Sequence, residues 1–472
     1  MNAIHDPFIH KFPPEISSHI FRLCFPTLDF EDLDIWNKAA AFTRVLSLGA
    51  VCQKWRQLAW ATPDLWDTLY VRIPPSPEHA LVHWLPGLLR EWLSRSGMRP
   101  LTIFFRYSGH SRKQDYHRLN DDFLDESTAI SLDPAADLVI DIINFHSGRW
   151  RNLHLDVGAD IPQLFCGSIH SNQLLCLELG INGKSFPTPK FVMKSKPFPT
   201  QLTLNSFPPT LIDIGWENIT HAILCNLSVH ECLAVLRRTP SLEYCLASPW
   251  REATAEIGTT INPHLRSLNV SSRGTTLLDA INVPSLEEWI YNTEGALLPV
   301  AAMVSLLKRS GCFLKILNLR HVKAPPDNLF ILFQELPSLE RLQFDFFSAK
   351  NTMTVMDDIL ARISNTRPGS STMPSEGTSR QRFRPHLQFM ECMTLATTLA
   401  PFSWNLIPQL YRQGHRRSLT LRSGAKESHI THETALQLLK LADEGVDLQI
   451  LDKTTKAGGD FLENFRKRVC SL

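Results

Sequence analysis

The chain has 472 residues, of which 43% are hydrophobic, and it carries 48 Lys and Arg against 47 Asp and Glu. This length exceeds that of one ordinary hydrophobic core, so we expect two or three domains or one extended repeat array. The net charge of +1 creates no global field that would attract nucleic acid or an anionic membrane. A general nucleic-acid-binding protein is therefore excluded as the leading interpretation.

The first residues, MNAIHDPFIHKFPPE, contain no apolar core of the kind that a signal peptide needs. The longest uncharged apolar run, residues 295–307, is shorter than the ~20 residues of a membrane-spanning helix. The ten cysteines include no C-x-x-C pair, which favours reduced and buried thiols. We therefore expect no membrane partner and a cytoplasmic or nuclear location.

Two amphipathic segments dominate the N-terminal region. The first begins at Pro13 and Pro14, which suit the first turn of a helix because amides there lack intrahelical partners anyway. Its predicted apolar face comprises Ile16, Ile20, Phe21, Leu23 and Cys24. The second segment is predicted as one helix that Pro63 ends, with its apolar face at Val51, Cys52, Trp55, Leu58 and Ala59.

Leu65 and Trp66 follow Pro63 as a short apolar hook. So small a helical unit cannot bury this many large side chains on its own. Some of its surface must face another body, which is either the rest of this chain or a separate protein.

The motif order F-P-P-E-I, I-F, V-C-x-x-W-R-x-L-A and P-x-L-W is similar to the F-box. In that family a three-helix module binds the Skp-type adaptor of a cullin RING ubiquitin ligase. Phe12 stands where the family usually has Leu, and residues 28–42 form a longer and more acidic connector. The alternative is a helical cap for the following domain. The resemblance implies a module over residues 1–66 with these adaptor-binding residues: Phe12, Pro13, Ile16, Ile20, Phe21, Val51, Cys52, Trp55, Leu65 and Trp66.

A short pattern with apolar residues at positions i, i+3 and i+5, which we call the phrase, recurs along the rest of the chain. It predicts a strand whose i+3 and i+5 side chains point into the core. The phrase begins at Trp66, Met98, Trp150, Leu174, Pro199, Leu242, Leu265, Leu286, Leu314 and Leu339, with a weaker copy at Ala222. From residue 150 onward the spacing lies within the roughly 20–29 residues of leucine-rich repeats. We therefore predict an α/β fold in which a curved parallel sheet with helices forms an irregular leucine-rich-repeat solenoid.

The run LLKRSGCFLKILNLRHV resembles repeats of F-box proteins from filamentous, mushroom-type fungi. The predicted solenoid covers residues 67–363 and contains a polar insertion at about residues 106–137. Residues 364–384 have the Ser, Pro and Gly content of a flexible linker. Residues 385–472 are predicted to hold terminal repeats and a helical cap, with a final helix over residues 432–443.

Several motifs begin a catalytic or metal site without completing it. Gly183, Lys184 and Ser185 lack the upstream glycine of a phosphate-binding loop. The His230-Glu231 and His432-Glu433 pairs lack the second histidine of a zinc protease. A metal site built from His221, Cys225, His230 and Cys232 is the alternative to a buried strand followed by a helix. We expect a non-catalytic protein with no cofactor and no metal.

Two functions remain open at this point. In the first, the chain is a substrate receptor of a Skp-cullin-F-box ubiquitin ligase and holds an unknown target protein on its solenoid. In the second, it is a leucine-rich-repeat interaction scaffold without a ligase. The exposed side chains predicted to contact the target, for which a solvated face is the alternative, are Tyr244, Arg266, Glu288, Lys315, Glu340 and Arg341.

Overall fold

The computed structural model describes residues 11–29, 34–73, 79–107, 134–158, 161–169, 172–181, 190–251, 258–346, 387–394, 404–411, 420–425, 430–452 and 460–469. The chain divides into two compact units, Met1–Leu227 and Ser228–Leu472. The predicted linker at residues 364–384 lies outside the described residues. No helix in the described ranges combines the length and apolar character that a membrane crossing requires.

The first unit begins with helices. The described helices before the first strand are α1 (Pro14–Leu23), α2 (Ile35–Ala40), α3 (Val45–Val51) and α4 (Gln53–Trp60), with 3-10 turns at Ala41–Arg44 and Pro63–Leu65. As predicted, Pro13 caps α1 and Pro14 is its first residue. The predicted three-helix count is wrong, because the described N-terminal region contains four α-helices.

Two differences from the prediction account for the additional helix, and the first lies at Cys52. Its backbone is extended, with φ −158° and ψ 171°, so the predicted continuous helix is split into α3 and α4. The Cys52 sulfur accepts a hydrogen bond from the amide of Trp55 at 3.5 Å and thereby caps α4. The other error is α2, which forms inside the predicted connector at residues 28–42.

A parallel sheet follows in the first unit. Its described strands pair in the order β1 (Thr68–Ile73), β2 (Leu101–Tyr107), β3 (Trp150–Val157), β4 (Cys176–Ile181), β6 (Gln201–Asn205) and β8 (His221–Cys225). The remaining described elements are α5 (His79–Arg95), α6 (Pro134–Phe145), the paired short strands β5 (Phe191–Val192) and β7 (Ile212–Asp213), and 3-10 turns at Ser147–Arg149, Pro162–Leu164 and Pro209–Leu211.

The predicted phrases at Trp66, Trp150, Leu174 and Pro199 lie in register across this sheet. The predicted start at Met98 is wrong, because Ile103 and not Leu101 is aligned with Leu69 and Leu153, so the aligned phrase begins at Pro100. The earlier start matched the pattern because Leu101 is also buried. Leu153, Leu177 and Leu202 are aligned partners and each is fully buried.

The next partner of Leu202 is Ala222, so Ala222 occupies position i+3 and the phrase begins at Ile219. The predicted start at Ala222 is therefore wrong. The start of this phrase was misplaced because Ile223 is also buried, so the local sequence is a continuous apolar run without a clear alternation.

The predicted insertion at residues 106–137 is too long at both ends. Arg106 lies in β2, and Asp137 lies in the first turn of α6. Residues 108–133, which include most of the insertion, lie outside the described residues.

The second unit also contains a parallel sheet. Its described strands pair in the order β9 (Tyr244–Ser248), β11 (Ser267–Ser271), β13 (Glu288–Asn292), β14 (Ile316–Val322), β15 (Arg341–Phe346), β16 (Phe389–Thr394), β17 (Thr420–Ala425) and β18 (Leu448–Asp452). Its other described elements are α7 (Val229–Arg238), the short strand β10 (Thr260–Ile261), α8 (Thr276–Ala280), the short strand β12 (Ile281–Asn282), α9 (Val300–Ser310), α10 (Pro326–Gln334), α11 (Leu406–Tyr411), α12 (His432–Asp443) and α13 (Phe461–Val469).

The core of the second unit follows the predicted phrase. Leu268, Trp289, Leu317 and Leu342 are aligned partners at position i+3, and all four are buried. Helix α9 ends at Gly311, whose φ of 60° is the left-handed conformation that glycine adopts without strain.

The predicted final helix has the bounds that α12 shows, but β18 and α13 follow it and were not predicted. Leu448 and Ile450 occupy positions i+3 and i+5 of a phrase and are buried. Position i of that phrase is Gly445, whose φ of 88° turns the chain just after α12. Because this phrase has glycine in place of its first apolar residue, the pattern did not predict β18.

Thiol reactivity tests this distribution of buried residues. Burial, reinforced by the negative charge of Glu178, raises the pKa of the Cys176 thiol well above its ordinary value, whereas Cys24 is exposed. We expect a maleimide at neutral pH to label Cys24 rapidly in the native protein and to label Cys176, Cys232 and Cys245 only after denaturation. Peptide mass spectrometry identifies the labelled sites, and the denatured protein is the control. Native-state labelling of Cys176 at the rate of Cys24 would contradict the fold.

Candidate interaction site on the N-terminal helices

One face of α1 holds the N-terminal helices together. Phe21 is fully buried and packs against Trp55 of α4, with ring centroids 4.8 Å apart. The hydroxyl groups of Ser18 and Thr62 lie 2.9 Å apart, and Arg22 forms a 2.9 Å ion pair with Asp64. These contacts fix α1 against α4 and the turn that follows it.

The opposite face of α1 is apolar and exposed. Phe12, Ile16 and Leu23 have exposed fractions of 47%, 46% and 70%, and Ile20 is half-buried. We call these four residues the apolar stripe. Ile16, Ile20 and Leu23 have the spacing of one helix face, and Phe12 lies just before the start of α1. Exposed apolar groups at helical spacing are typical of a surface that binds a partner.

Helices α3 and α4 contribute further exposed apolar side chains. Leu46, Val51 and Trp60 are each between two-fifths and half exposed. The join between α3 and α4 is held by Arg56, whose Nε donates to the carbonyl of Gly49 at 2.7 Å. Because this bond and the Cys52 cap fix the turn, the exposed groups sit on a defined backbone.

Trp66 joins these helices to the sheet. Its side chain is 1% exposed, and its indole N–H donates to the carbonyl of Ala59 at 2.7 Å. Its ring meets Trp92 of α5 edge to face at 4.9 Å. The Arg95 guanidinium lies 4.6 Å from the Trp66 ring and 4.2 Å from the Trp60 ring. Such cation–π contacts stabilise the junction further.

Helix α2 makes a second attachment on the face of the sheet. The indole N–H of Trp36 donates to Glu178 of β4 at 2.9 Å, and its ring meets Phe104 of β2 edge to face at 5.2 Å. His154 stacks on Phe104 at 4.1 Å and bonds Glu178 at 2.6 Å. The Arg106 guanidinium lies 4.6 Å from the Trp36 ring. We call these five residues the connector clamp.

The connector clamp was not predicted, although the sequence contains two local signals for it. Ile35, Trp36 and Ala39 have the spacing of one helix face within the connector. The run LTIFFRY in β2 is apolar on consecutive residues, which is typical of a strand that is buried on both faces. Neither signal says which helix covers which strand.

The ten predicted adaptor-binding residues fall into three groups in the structure. Phe12, Pro13, Ile16 and Val51 are exposed, whereas Ile20, Cys52 and Trp55 are half-buried. Phe21, Leu65 and Trp66 are buried in the first unit, where they hold the helices in place.

The six predicted target-binding residues lie at the starts of strands in the second unit. Tyr244, Glu288 and Arg341 open β9, β13 and β15. Arg266, Lys315 and Glu340 directly precede β11, β14 and β15. Arg266, Lys315 and Arg341 are exposed as predicted, but Tyr244, Glu288 and Glu340 are half-buried.

Backbone bonds connect the residues that precede the strands into one row. The amides of Arg266, Glu287, Lys315 and Glu340 donate in turn to the carbonyls of Glu243, Arg266, Glu287 and Lys315 at 2.8–2.9 Å. The charges in this row alternate, and we call it the charge ladder. Lys315 donates to Glu287 at 2.8 Å, and this bond lowers the pKa of the Glu287 carboxyl. Lys315 and Glu287 therefore partly neutralise each other within the charge ladder.

The residues of the incomplete metal motif have structural contacts. Glu231 forms a capping box with Ser228 at the start of α7, and Cys232 is fully buried. Within the described ranges, no group of three or more His, Cys, Asp and Glu side chains is arranged to hold a metal ion. The predicted Gly183-Lys184-Ser185 segment lies outside the described residues.

The F-box-like family model matches residues 9–72. The matched segment contains the apolar stripe, helices α2 to α4 and Trp66, and it extends into β1. No curated protein matches the chain. The N-terminal helical region is therefore F-box-like, and it is followed by a parallel sheet with helices.

The two faces of α1 predict different effects on stability. Replacing buried Phe21 with Ala leaves a cavity against Trp55 and should cost about 3–5 kcal/mol. Replacing exposed Leu23 with Ala should cost no more than about 0.5 kcal/mol. Urea unfolding of the two variants followed by tryptophan fluorescence measures both values. Equal losses would mean that Leu23 is covered by the rest of the chain.

Proposed function

We propose that the protein is a substrate receptor of a Skp-cullin-F-box ubiquitin ligase and that the apolar stripe binds the Skp-type adaptor. The main observation in support of this proposal is the exposed apolar face of α1, which lies within the F-box-like segment. F-box domains typically bind such adaptors, and an apolar helix face is suited to bury itself against a partner. The proposed contact surface consists of the apolar stripe together with the exposed predicted residues Pro13 and Val51, and it is supported from within by Phe21, Leu65 and Trp66.

The proposed role is positional. A receptor of this kind raises the local concentration of a target near the conjugating enzyme, and it needs no catalytic group of its own. This role requires that the adaptor-binding helices be held firmly on the sheet. The Trp66 junction and the connector clamp supply that attachment within the first unit. A cytoplasmic or nuclear location remains part of the proposal.

A scaffold that binds no adaptor is the alternative, and it would use the same strands. We infer that the parallel strands of each unit are irregular leucine-rich repeats, since their phrases recur at the spacing of that family. The two functions differ only in what the apolar stripe contacts. Adaptor binding therefore separates them.

Charge placed on the apolar stripe should abolish adaptor binding. We expect the double substitution Ile16→Asp with Leu23→Asp to weaken binding of a purified Skp-type adaptor at least about a hundredfold, because two buried contacts become unpaired charges. The matched control is Ile261→Asp with Leu297→Asp, since those residues are 63% and 72% exposed in the second unit. Isothermal titration calorimetry measures both affinities. Wild-type protein that fails to bind the adaptor would leave the scaffold as the function.

We also propose that the target protein contacts the charge ladder and the strand starts beside it. Arg341 lies with its guanidinium 4.8 Å from the ring of Phe389, so a charged and an aromatic group share this edge. A partner that binds here must compete with the Lys315–Glu287 ion pair. Selectivity would then come from matching the order of alternating charges.

Reversing three charges tests the target surface. Lys315→Glu, Glu340→Lys and Arg341→Glu together should remove target proteins recovered with the receptor from cells, while adaptor recovery stays unchanged. The control reverses Lys308 of α9 and Glu335, the residue that follows α10, which form a 3.1 Å ion pair. Quantitative mass spectrometry compares the recovered proteins. If the two variants recover the same partners as the wild type, the target site lies elsewhere.

A further inference from the structure

A cleft runs along the N-terminal ends of the strands in the first unit. It consists of two adjoining cavities of about 330 and 530 Å³ that share Pro100, Arg151 and Leu175. The smaller cavity is also lined by Asp67 and Arg99, and the larger one by Lys196 and Phe198. None of these residues belongs to the apolar stripe or to the charge ladder.

Arg151 reaches this cleft because of a bulge in the sheet. In the pairing of β2 with β3, Leu101 is aligned with Trp150 and Thr102 with Asn152. Arg151 is therefore the extra residue of the bulge and is left out of the register. Bulges re-aim a side chain and are frequent next to functional sites.

Arg151 is the available cation of the cleft. Arg99 is engaged by Asp64 at 2.8 Å and by Asp67 at 3.3 Å, and Lys196 is paired with Asp213 at 3.0 Å. Arg151 is exposed and makes no side-chain hydrogen bond or ion pair with any described residue. The guanidinium is a planar donor that suits two parallel hydrogen bonds to one carboxylate.

The row of residues around Arg151 differs from the charge ladder of the second unit. The amide of Leu175 donates to the carbonyl of Arg151 at 2.8 Å, and the amide of Thr200 donates to that of Leu175 at 2.9 Å. The neighbour of Arg151 on this side is thus an apolar residue that is 41% exposed, where the charge ladder places an opposite charge. In the first unit, Arg151 therefore lies beside an apolar residue and forms no ion pair with a described residue.

Phe198 supplies a second apolar wall and is held in place by a glycine. Its ring is 49% exposed, and it lies so close to Gly215 that a Cβ atom there would be 2.1 Å from Phe198 Cδ1. The amide of Gly215 donates to the carbonyl of Pro197 at 2.8 Å, which fixes this close approach. The position of the aromatic wall therefore depends on the absence of a side chain at residue 215.

We propose that this cleft binds an acidic peptide segment in which an Asp or Glu carboxylate pairs with Arg151 and an adjacent apolar side chain packs on Leu175 and Phe198. The unpaired guanidinium and the exposed apolar pair define this chemistry together. The proposal goes beyond adaptor binding, since none of the cleft residues is among the proposed adaptor contacts. Its test uses the purified full chain and no ligase component, so the two proposals can fail separately.

The experiment compares two pools of fluorescently labelled synthetic peptides that differ only in a fixed central pair, Glu-Leu or Gln-Leu. Fluorescence anisotropy measures their binding to the full chain. We expect the Glu-Leu pool to bind more tightly, and Arg151→Ala to weaken it by about tenfold or more until the two pools bind equally. Phe198→Ala should weaken both pools by the same factor, because it removes only the apolar contact.

Arg320→Ala is the matched control, since Arg320 is an exposed arginine on β14 of the second unit. Thermal unfolding of each variant confirms that the exposed substitutions leave the fold intact. Unchanged binding of the Glu-Leu pool by Arg151→Ala would overturn the proposal. Tighter binding of a single-stranded oligothymidine than of the Glu-Leu pool would also overturn the proposal, because Arg151 would then bind a nucleic-acid phosphate in preference to a peptide carboxylate. Absence of saturable peptide binding by the wild type would do the same.

Discussion

The burial of indole rings at the start of the sheet is the interaction on which the N-terminal region depends. Trp66 is buried between α4 and α5, and its N–H is satisfied by the carbonyl of Ala59. Trp36 extends the attachment to the face of β2, β3 and β4, where Glu178 accepts its N–H and also holds His154. A buried indole without such an acceptor costs free energy, so these pairs fix one orientation of the helices.

This attachment explains how α1 can leave apolar groups exposed. Ser17 and Phe21 bury one face of α1, and the tryptophan contacts stabilise the helices that α1 packs against. Ile16 and Leu23 are then free of any structural role that would require them to be covered. An exposed apolar surface on a firmly held helix loses little conformational entropy on binding, which favours its use as an interface.

Most strands of the two parallel sheets were predictable from sequence, because each phrase fixes two inward side chains by the period-2 rule, and Leu177 and Leu317 are buried as expected. Strand β18 was not, because glycine replaces its leading apolar residue. The apolar residues of α1 were also found, but the sequence did not distinguish buried Phe21 from exposed Leu23. That distinction depends on Trp55, which is distant in the chain.

The connector clamp was missed for the same reason, since Trp36 and Glu178 are 142 residues apart. The Arg151 cleft depends on a bulge that has no local sequence signal.

We conclude that the N-terminal helices and the first strands form one cooperative structure. Native-state hydrogen exchange tests it most directly, by comparing the opening free energies of the amides of α4 with those of β2 and β3. We expect the two sets of opening free energies to agree within about 1 kcal/mol, because opening α4 would expose Trp66 and separate it from Trp92. An α4 that opens several kcal/mol more easily than the strands would show that the helices unfold independently, and a single cooperative structure would then be wrong.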